Sequence, residues 1–162
     1  MKKSIFALPL FLFLLLSSAL FSQNWIARHN LSSAQYQTEV NKWVNQGYRI
    51  TQVSGYSDNG QDRYSAILEQ ESGSSWAAKH DLTIAQYQAQ FNSLTGQGYR
   101  PIQVSGFPSG NQAKFAAIFI KENNGPKWHA RHNMTAAQYQ EEFNEYVGQG
   151  YYLSDVSGYT VG

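Results

Sequence analysis

Apolar residues recur at helical spacing in three stretches of the chain: Tyr36, Val40, Trp43 and Val44; Tyr87, Phe91 and Leu94; and Tyr139, Phe143, Tyr146 and Val147. Each set lines one face of a helix. Ser32, Thr83 and Thr135 stand just before these faces with Gln35, Gln86 and Gln138 three residues on, the spacing of a capping box. Leu31, Leu82 and Met134 precede the caps, and Tyr36, Tyr87 and Tyr139 lie where a hydrophobic staple needs its second member. Gly47, Gly98 and Gly150, each followed by Tyr, fit the left-handed stop position. The pattern predicts helices over 33–46, 84–97 and 136–149. Flanking runs are β-branched and bounded by turn residues. Arg49–Tyr56 with Arg63–Glu69, and Pro101–Phe107 with Lys114–Ile120, read as β-hairpins.

These elements are copies of one another. Trp25, Trp76 and Trp128 head matching segments that end in His29, His80 and His132, spaced by 51 and 52 residues. Ala-Gln-Tyr-Gln follows at Ala34, Ala85 and Ala137, then Gln-Gly-Tyr at Gln46, Gln97 and Gln149, then Val-Ser-Gly and an aromatic at Val53, Val104 and Val156. A fixed period of this length marks a repeat architecture. The expected organisation is 1–22 signal peptide, 23–75 repeat 1, 76–127 repeat 2 and 128–162 repeat 3. The third copy stops at Tyr159-Thr-Val-Gly162, inside the hairpin turn. Two phasings stay open: a fragment, or units in which the returning strand belongs with the following Trp segment. The fold class is α+β, three tandem strand-helix-strand(-strand) repeats with helices packed on antiparallel sheet. One unit alone cannot bury both faces, so an open curved array or partial barrel is expected.

The N-terminus changes the picture of where the protein works. Lys2 and Lys3, the mostly apolar run Ile5–Leu16 and the small residues Ser17, Ser18, Ala19 and Ser22 make a secretory signal peptide, expected to be cleaved after Ser22. A boundary one or two residues away and an uncleaved anchor are the alternatives. The expected location is secreted or periplasmic, with no membrane association after signal removal. Without residues 1–22 the charge is 10 basic against 11 acidic residues, so nothing draws the chain to nucleic acid. The absence of cysteine excludes disulfides and thiolate metal sites.

Candidate chemistry is sparse. His29, His80 and His132 would make a three-histidine metal site only if the units surrounded a common axis, and one fold position repeated three times is the simpler account, so no metal and no cofactor are expected. Trp25, Trp76 and Trp128 either pack between units or form a row of rings for a sugar or peptide, and with the histidines they are the candidate ligand-binding residues. His129 has no counterpart and reads as a surface substitution; Trp43 reads as core. Ser54, Ser105 and Ser157 lack a nucleophile elbow and read as turn residues. Glu141, Glu142 and Glu145 read as a solvated face. Asn30-Leu-Ser32 and Asn133-Met-Thr135 match the glycosylation sequon, but Asp81 stands at the same place in the second unit, so the position reads as a helix entry.

The run at 128–140 (Trp-x-Ala-Arg-His-Asn-Met-Thr-Ala-Ala-Gln-Tyr-Gln), with Gln-Gly-Tyr at 149–151 and Val-Ser-Gly-Tyr at 156–159, resembles the family called bacterial tandem repeat domain 1. The same motifs cover residues 25–162. The resemblance implies a secreted repeat; similar repeats form the N-terminal part of fungal polyglycine hydrolases, ahead of a serine hydrolase domain that looks like a β-lactamase. That catalytic domain is absent from residues 25–162, and the resemblance maps no catalytic residue onto the repeat. The expected function is a non-catalytic binding or accessory recognition module for a protein or polymer ligand, with a serine hydrolase as a possible partner domain. The alternative is a hydrolase whose repeats carry a His-based site.

Overall fold

A computed structural model describes residues 24–161. The segment read as a signal peptide lies outside the described residues. The first unit holds β1 (Trp25–Leu31), α1 (Ser33–Val44), β2 (Arg49–Asp58) and β3 (Gln61–Glu69). The second holds β4 (Ser75–Thr83), α2 (Ile84–Gly96), β5 (Arg100–Ser109) and β6 (Gln112–Lys121). Among the described residues the third unit contributes α3 (Ala136–Gly148) and no strand.

Local chemistry sets the helices. The amide N–H groups of Ser32, Thr83 and Thr135 donate to Gln35, Gln86 and Gln138 Oε1 at 2.9, 2.9 and 2.8 Å. The cap hydroxyls accept from the same glutamines' N–H groups at 3.4, 3.3 and 3.3 Å. All three boxes are complete, so two orphan donors are satisfied at each helix start. The stops match too: Gly47, Gly98 and Gly150 have φ of 87°, 85° and 88°, and the Tyr48, Tyr99 and Tyr151 N–H groups reach back to the carbonyls of Trp43, Leu94 and Tyr146. That bond with the glycine's own shorter one forms the Schellman motif. The Trp43–Tyr48 and Tyr146–Tyr151 ring pairs supply its apolar contact.

Strand pairing contains both expected hairpins and decides between the two phasings. The sheet orders are β1-β3-β2 and β4-β6-β5, every pair antiparallel. The returning strand therefore lies between the Trp strand and the Val-Ser-Gly strand of its own unit, with Trp25 opposite Glu69. The phasing in which it joins the following Trp segment does not hold. Its hairpins are tighter than expected, with only Asn59-Gly60 or Gly110-Asn111 between strands, and Asn59 and Gly60 both have the positive φ of a type I′ turn. The two sheets stay separate and no barrel closes among the described residues. Asn30, Asp81 and Asn133, at the helix-entry position, have φ of 56°, 57° and 56°, a left-handed conformation that Asn and Asp tolerate better than other side chains. In β1 and β4 this residue falls within a register shift against the central strand.

Two clusters form the core. Tyr36 and Val40 of α1 meet Ile50, Val53, Tyr64, Ala66 and Leu68 of the first sheet, and Phe107, Ala116 and Ile118 of the second unit join them. Tyr87 and Leu94 of α2 meet Phe115, Ala117 and Phe119, with Tyr159 of the third unit packed alongside. Alternate residues of β6 thus serve different clusters, and the strand is buried on both faces, whereas β3 buries alternate residues only. No described helix is long and apolar enough to cross a membrane.

Candidate functional site

The repeated Trp and His residues face backwards, onto the preceding unit. His80 lies on Tyr36 and Tyr64, with ring centroids 4.5 and 5.2 Å away, and Trp76 packs against the first cluster. One period later His132 lies on Tyr87 and Phe115 at 4.9 and 6.0 Å, and Trp128 meets Phe91 at 6.0 Å. In the first unit Trp25 is 49% exposed and His29 is exposed. Trp128 remains 37% exposed. Beside it an open cleft of about 210 Å³ is lined by Tyr87, Gln88, Phe91, Ala130, Arg131 and His132. The three histidines thus occupy successive positions along the array. Among the described residues no group of three or more His, Asp or Glu side chains is placed to hold a metal ion.

The Val-Ser-Gly motif forms the second half of each junction. Gln103 Oε1 accepts from the Val53 N–H at 2.7 Å, and Ser105 Oγ from the Gly55 N–H at 3.0 Å. Asp155 Oδ2 accepts from the Val104 N–H at 2.8 Å, and Ser157 Oγ from the Gly106 N–H at 3.0 Å. Side chains of one copy therefore satisfy the open main chain of the same motif in the copy before it. The aromatic that ends the motif completes the latch: a Cβ on Gly55 would stand 2.2 Å from the Phe107 ring, and one on Gly106 2.4 Å from the Tyr159 ring. Only glycine admits the ring. Reading these serines as turn residues was wrong: Ser54 and Ser105 lie inside β2 and β5, and the glycine beside each serves close approach rather than a turn.

The first junction carries a polar network with no copy at the second. The Ser33 hydroxyl is 3.1 Å from His80 Nε2 and donates to Asp81 Oδ2 at 3.3 Å. Tyr64 Oη and Lys114 Nζ donate to Asp81 Oδ1 at 3.2 and 2.5 Å, and Lys114 also meets Asp62 at 2.9 Å. Burial raises the Asp81 pKa, but the Lys114 ammonium and the two hydroxyls outweigh it and hold the carboxyl below its usual range. Burial lowers the His80 pKa, against the opposing pull of the Ser33 carbonyl and Asp81. Ser, His and Asp in contact suggest a nucleophile, but the proton placement argues otherwise. His80 Nε2 also lies 3.3 Å from the Ser33 carbonyl, which can only accept. The tautomer with its proton on Nε2 makes that bond, and in it the ring has no lone pair there to take the serine proton. Ile84 and Ala136 replace Ser33 in the other units, so the repeat gave no signal for this cluster.

At the second junction His132 Nε2 is 2.6 Å from Gln88 Oε1, and burial lowers its pKa. His129, unique to the third unit, stacks on Tyr146 at 3.9 Å rather than projecting freely. Glu142 lies near His129 and Arg131 at 3.8 and 3.3 Å, so it is tied to its own unit rather than simply solvated. Trp43 is half-buried against the first cluster, its indole N–H donating to Glu39 at 3.0 Å. A family model described as polyglycine hydrolase-like, structural repeat, matches the chain three times, over residues 22–71, 73–122 and 125–162.

Proposed function

This chain belongs to the polyglycine hydrolase-like structural repeat family, and on that premise we propose that it is an exported, non-catalytic module that binds a protein or polymer, in the manner of an accessory to a hydrolase. The observation that carries this reading is how the chemistry-bearing repeat positions are used. His80, His132, Ser105 and Ser157, the repeat positions with catalytic side chains, are engaged in holding unit to unit. Trp25 and His29 on the free face of the first unit, and Trp128 beside its cleft, are the repeat positions open to a ligand. Residues 1–22 serve export to the periplasm or beyond.

The test is made on the chain recovered from the exported fraction, where its first residue should be Gln23. That material should hydrolyse neither glycine-rich peptides, β-lactams nor simple esters. Turnover that survives repurification and disappears when Ser54, Ser105 and Ser157 are changed together to alanine would make the repeat itself an enzyme.

A further inference from the structure

Past the first turn of each helix the exposed positions have drifted apart between copies. Thr38, Ala89 and Glu141 correspond, as do Lys42, Ser93 and Glu145. Two positions have not drifted. Gln37, Gln88 and Gln140 are identical, and so are Asn41, Asn92 and Asn144 four residues on. All six are exposed except Gln88, which is half-buried. In each helix the Gln Nε2 donates to the Asn Oδ1, at 2.8, 2.7 and 2.8 Å. An amide pair at this spacing supports a helix only slightly, so helix stability does not account for keeping it three times. Nor does the junction. Gln88 Oε1 lies on His132 at the second junction, but His80 turns to Ser33 at the first, where Gln37 and Asn41 still keep their identities and their bond.

The internal bond holds each pair as one unit with groups left over. Among the described residues the Nδ2 protons of Asn41, Asn92 and Asn144 have no acceptor, and in α1 the Gln37 Oε1 has no donor. An indole stands beside the pair. Trp128 meets Phe91, the neighbour of Asn92, at 6.0 Å, and Trp76 packs on the cluster that holds Val40, the neighbour of Asn41. Gln88 also lines the cleft beside Trp128. No sign of charge recurs with the pairs on the helices, since Lys42 becomes Ser93 and then Glu145. The basic residue that does recur, at Arg28, Lys79 and Arg131, is held by Glu39 in the first unit and Glu142 in the third. A polymer that meets every unit through these pairs is therefore uncharged.

We propose that the helix side of the array binds a neutral polysaccharide, with each Gln–Asn pair holding hydroxyls of a sugar and the neighbouring Trp ring packing on a C–H face. Adjacent sugar hydroxyls both donate and accept, which suits an Asn donor beside a Gln acceptor. A peptide would be read through a strand edge or a side-chain groove, and a helix surface with its main chain satisfied offers no edge. The inference rests on the reading of the chain as a polymer-binding module and names the polymer's chemistry.

The test is electrophoresis of the purified chain in native gels cast with galactomannan, xylan or mixed-linkage β-glucan, beside gels cast with alginate or gelatin. At least one neutral glycan should retard the chain, and alginate and gelatin should not. Asn41→Asp, Asn92→Asp and Asn144→Asp together keep an acceptor for each Gln but remove the free donors; the three alanine changes remove the donors without adding charge. Both variants should weaken retardation at least about tenfold while their circular dichroism stays that of the parent. Retardation by no neutral glycan, by alginate or gelatin alone, or unaltered in both variants would overturn the proposal. A chain held by gelatin and by no glycan loses the saccharide but keeps the binding-module reading. Hydrolysis of the substrates named above with normal glycan retardation does the reverse.

Discussion

The second and third units share a sequence pattern and end in different states. Both have a complete capping box, a helix of 13 residues, a glycine stop with φ near 85–88° and a latch onto the unit before. Among the described residues only the second has a sheet. Everything the two have in common is made by residues close in sequence or by contacts one period back, and the sheet depends on a strand that returns between two flanks. Helix signals are thus sufficient locally, whereas the flanking segments are strands only in the presence of the residue run that separates them.

The comparison sharpens most where the central strand exists. Phe119→Ala in β6 removes a fully buried ring and should cost about 3–5 kcal/mol in urea denaturation. Val156→Ala, on the uncovered flank, should change stability by less than about 0.5 kcal/mol. Comparable losses at the two positions would show that the third unit has a closed core of its own. Next come the latch glycines. Gly106→Ala drives a methyl into the Tyr159 ring and should cost about 1–3 kcal/mol, seen as loosening of 151–159 in hydrogen exchange. Gly158→Ala meets nothing within 4 Å and should be silent. Equal effects would mean the ring is not what selects glycine.

The smallest effect is of pH. Burial holds His80 and His132 below the ordinary imidazole pKa, so folding favours the neutral ring. Stability should be full above about pH 6.5 and decline as the pH falls below that value. Around His80, Asp81 favours the charged ring and opposes the decline; Lys114 is bound to Asp81 and Asp62. His132 has no such carboxylate in contact, and its Nδ1 is buried with no acceptor for a second proton. The urea midpoint should drop between pH 7.5 and pH 5.5, and His132→Gln should flatten that slope more than His80→Gln. A midpoint that rises on acidification would reverse the assignment of burial as the dominant influence.

Caps, helix faces, stops and hairpins were legible because their partners lie within a few residues: Ser32 with Gln35, Trp43 with Tyr48, Asn59 with Gly60. The junctions were not, since Ser105 meets Gly55 and Gln103 meets Val53 across 50 residues. A clue was present, because that separation is nearly the repeat period and the motif carries Gln or Asp and Ser on alternate strand positions. The place of the returning strand was illegible for another reason: its pattern fits an edge or a centre equally well, and only pairing on both sides decides. Nothing in the repeat could announce Ser33 and Asp81, whose network exists in one junction alone.

Because the central strand is the last element of the first and second units, the order of synthesis fixes the order of consolidation. A nascent first unit has its helix by residue 44 but no sheet until residues 61–69 arrive, and the second waits likewise for 112–121. Each unit therefore passes through a stage of helix plus two unpaired flanks, and the loop closure that ends the stage comes late and non-locally, the kind of step that slows folding and leaves strand edges exposed to other chains. Residues 128–161 have the form of that stage. A ribosome-stalled series ending beyond residues 60, 70, 111 and 122 would show protease resistance arriving in two jumps, one with each central strand.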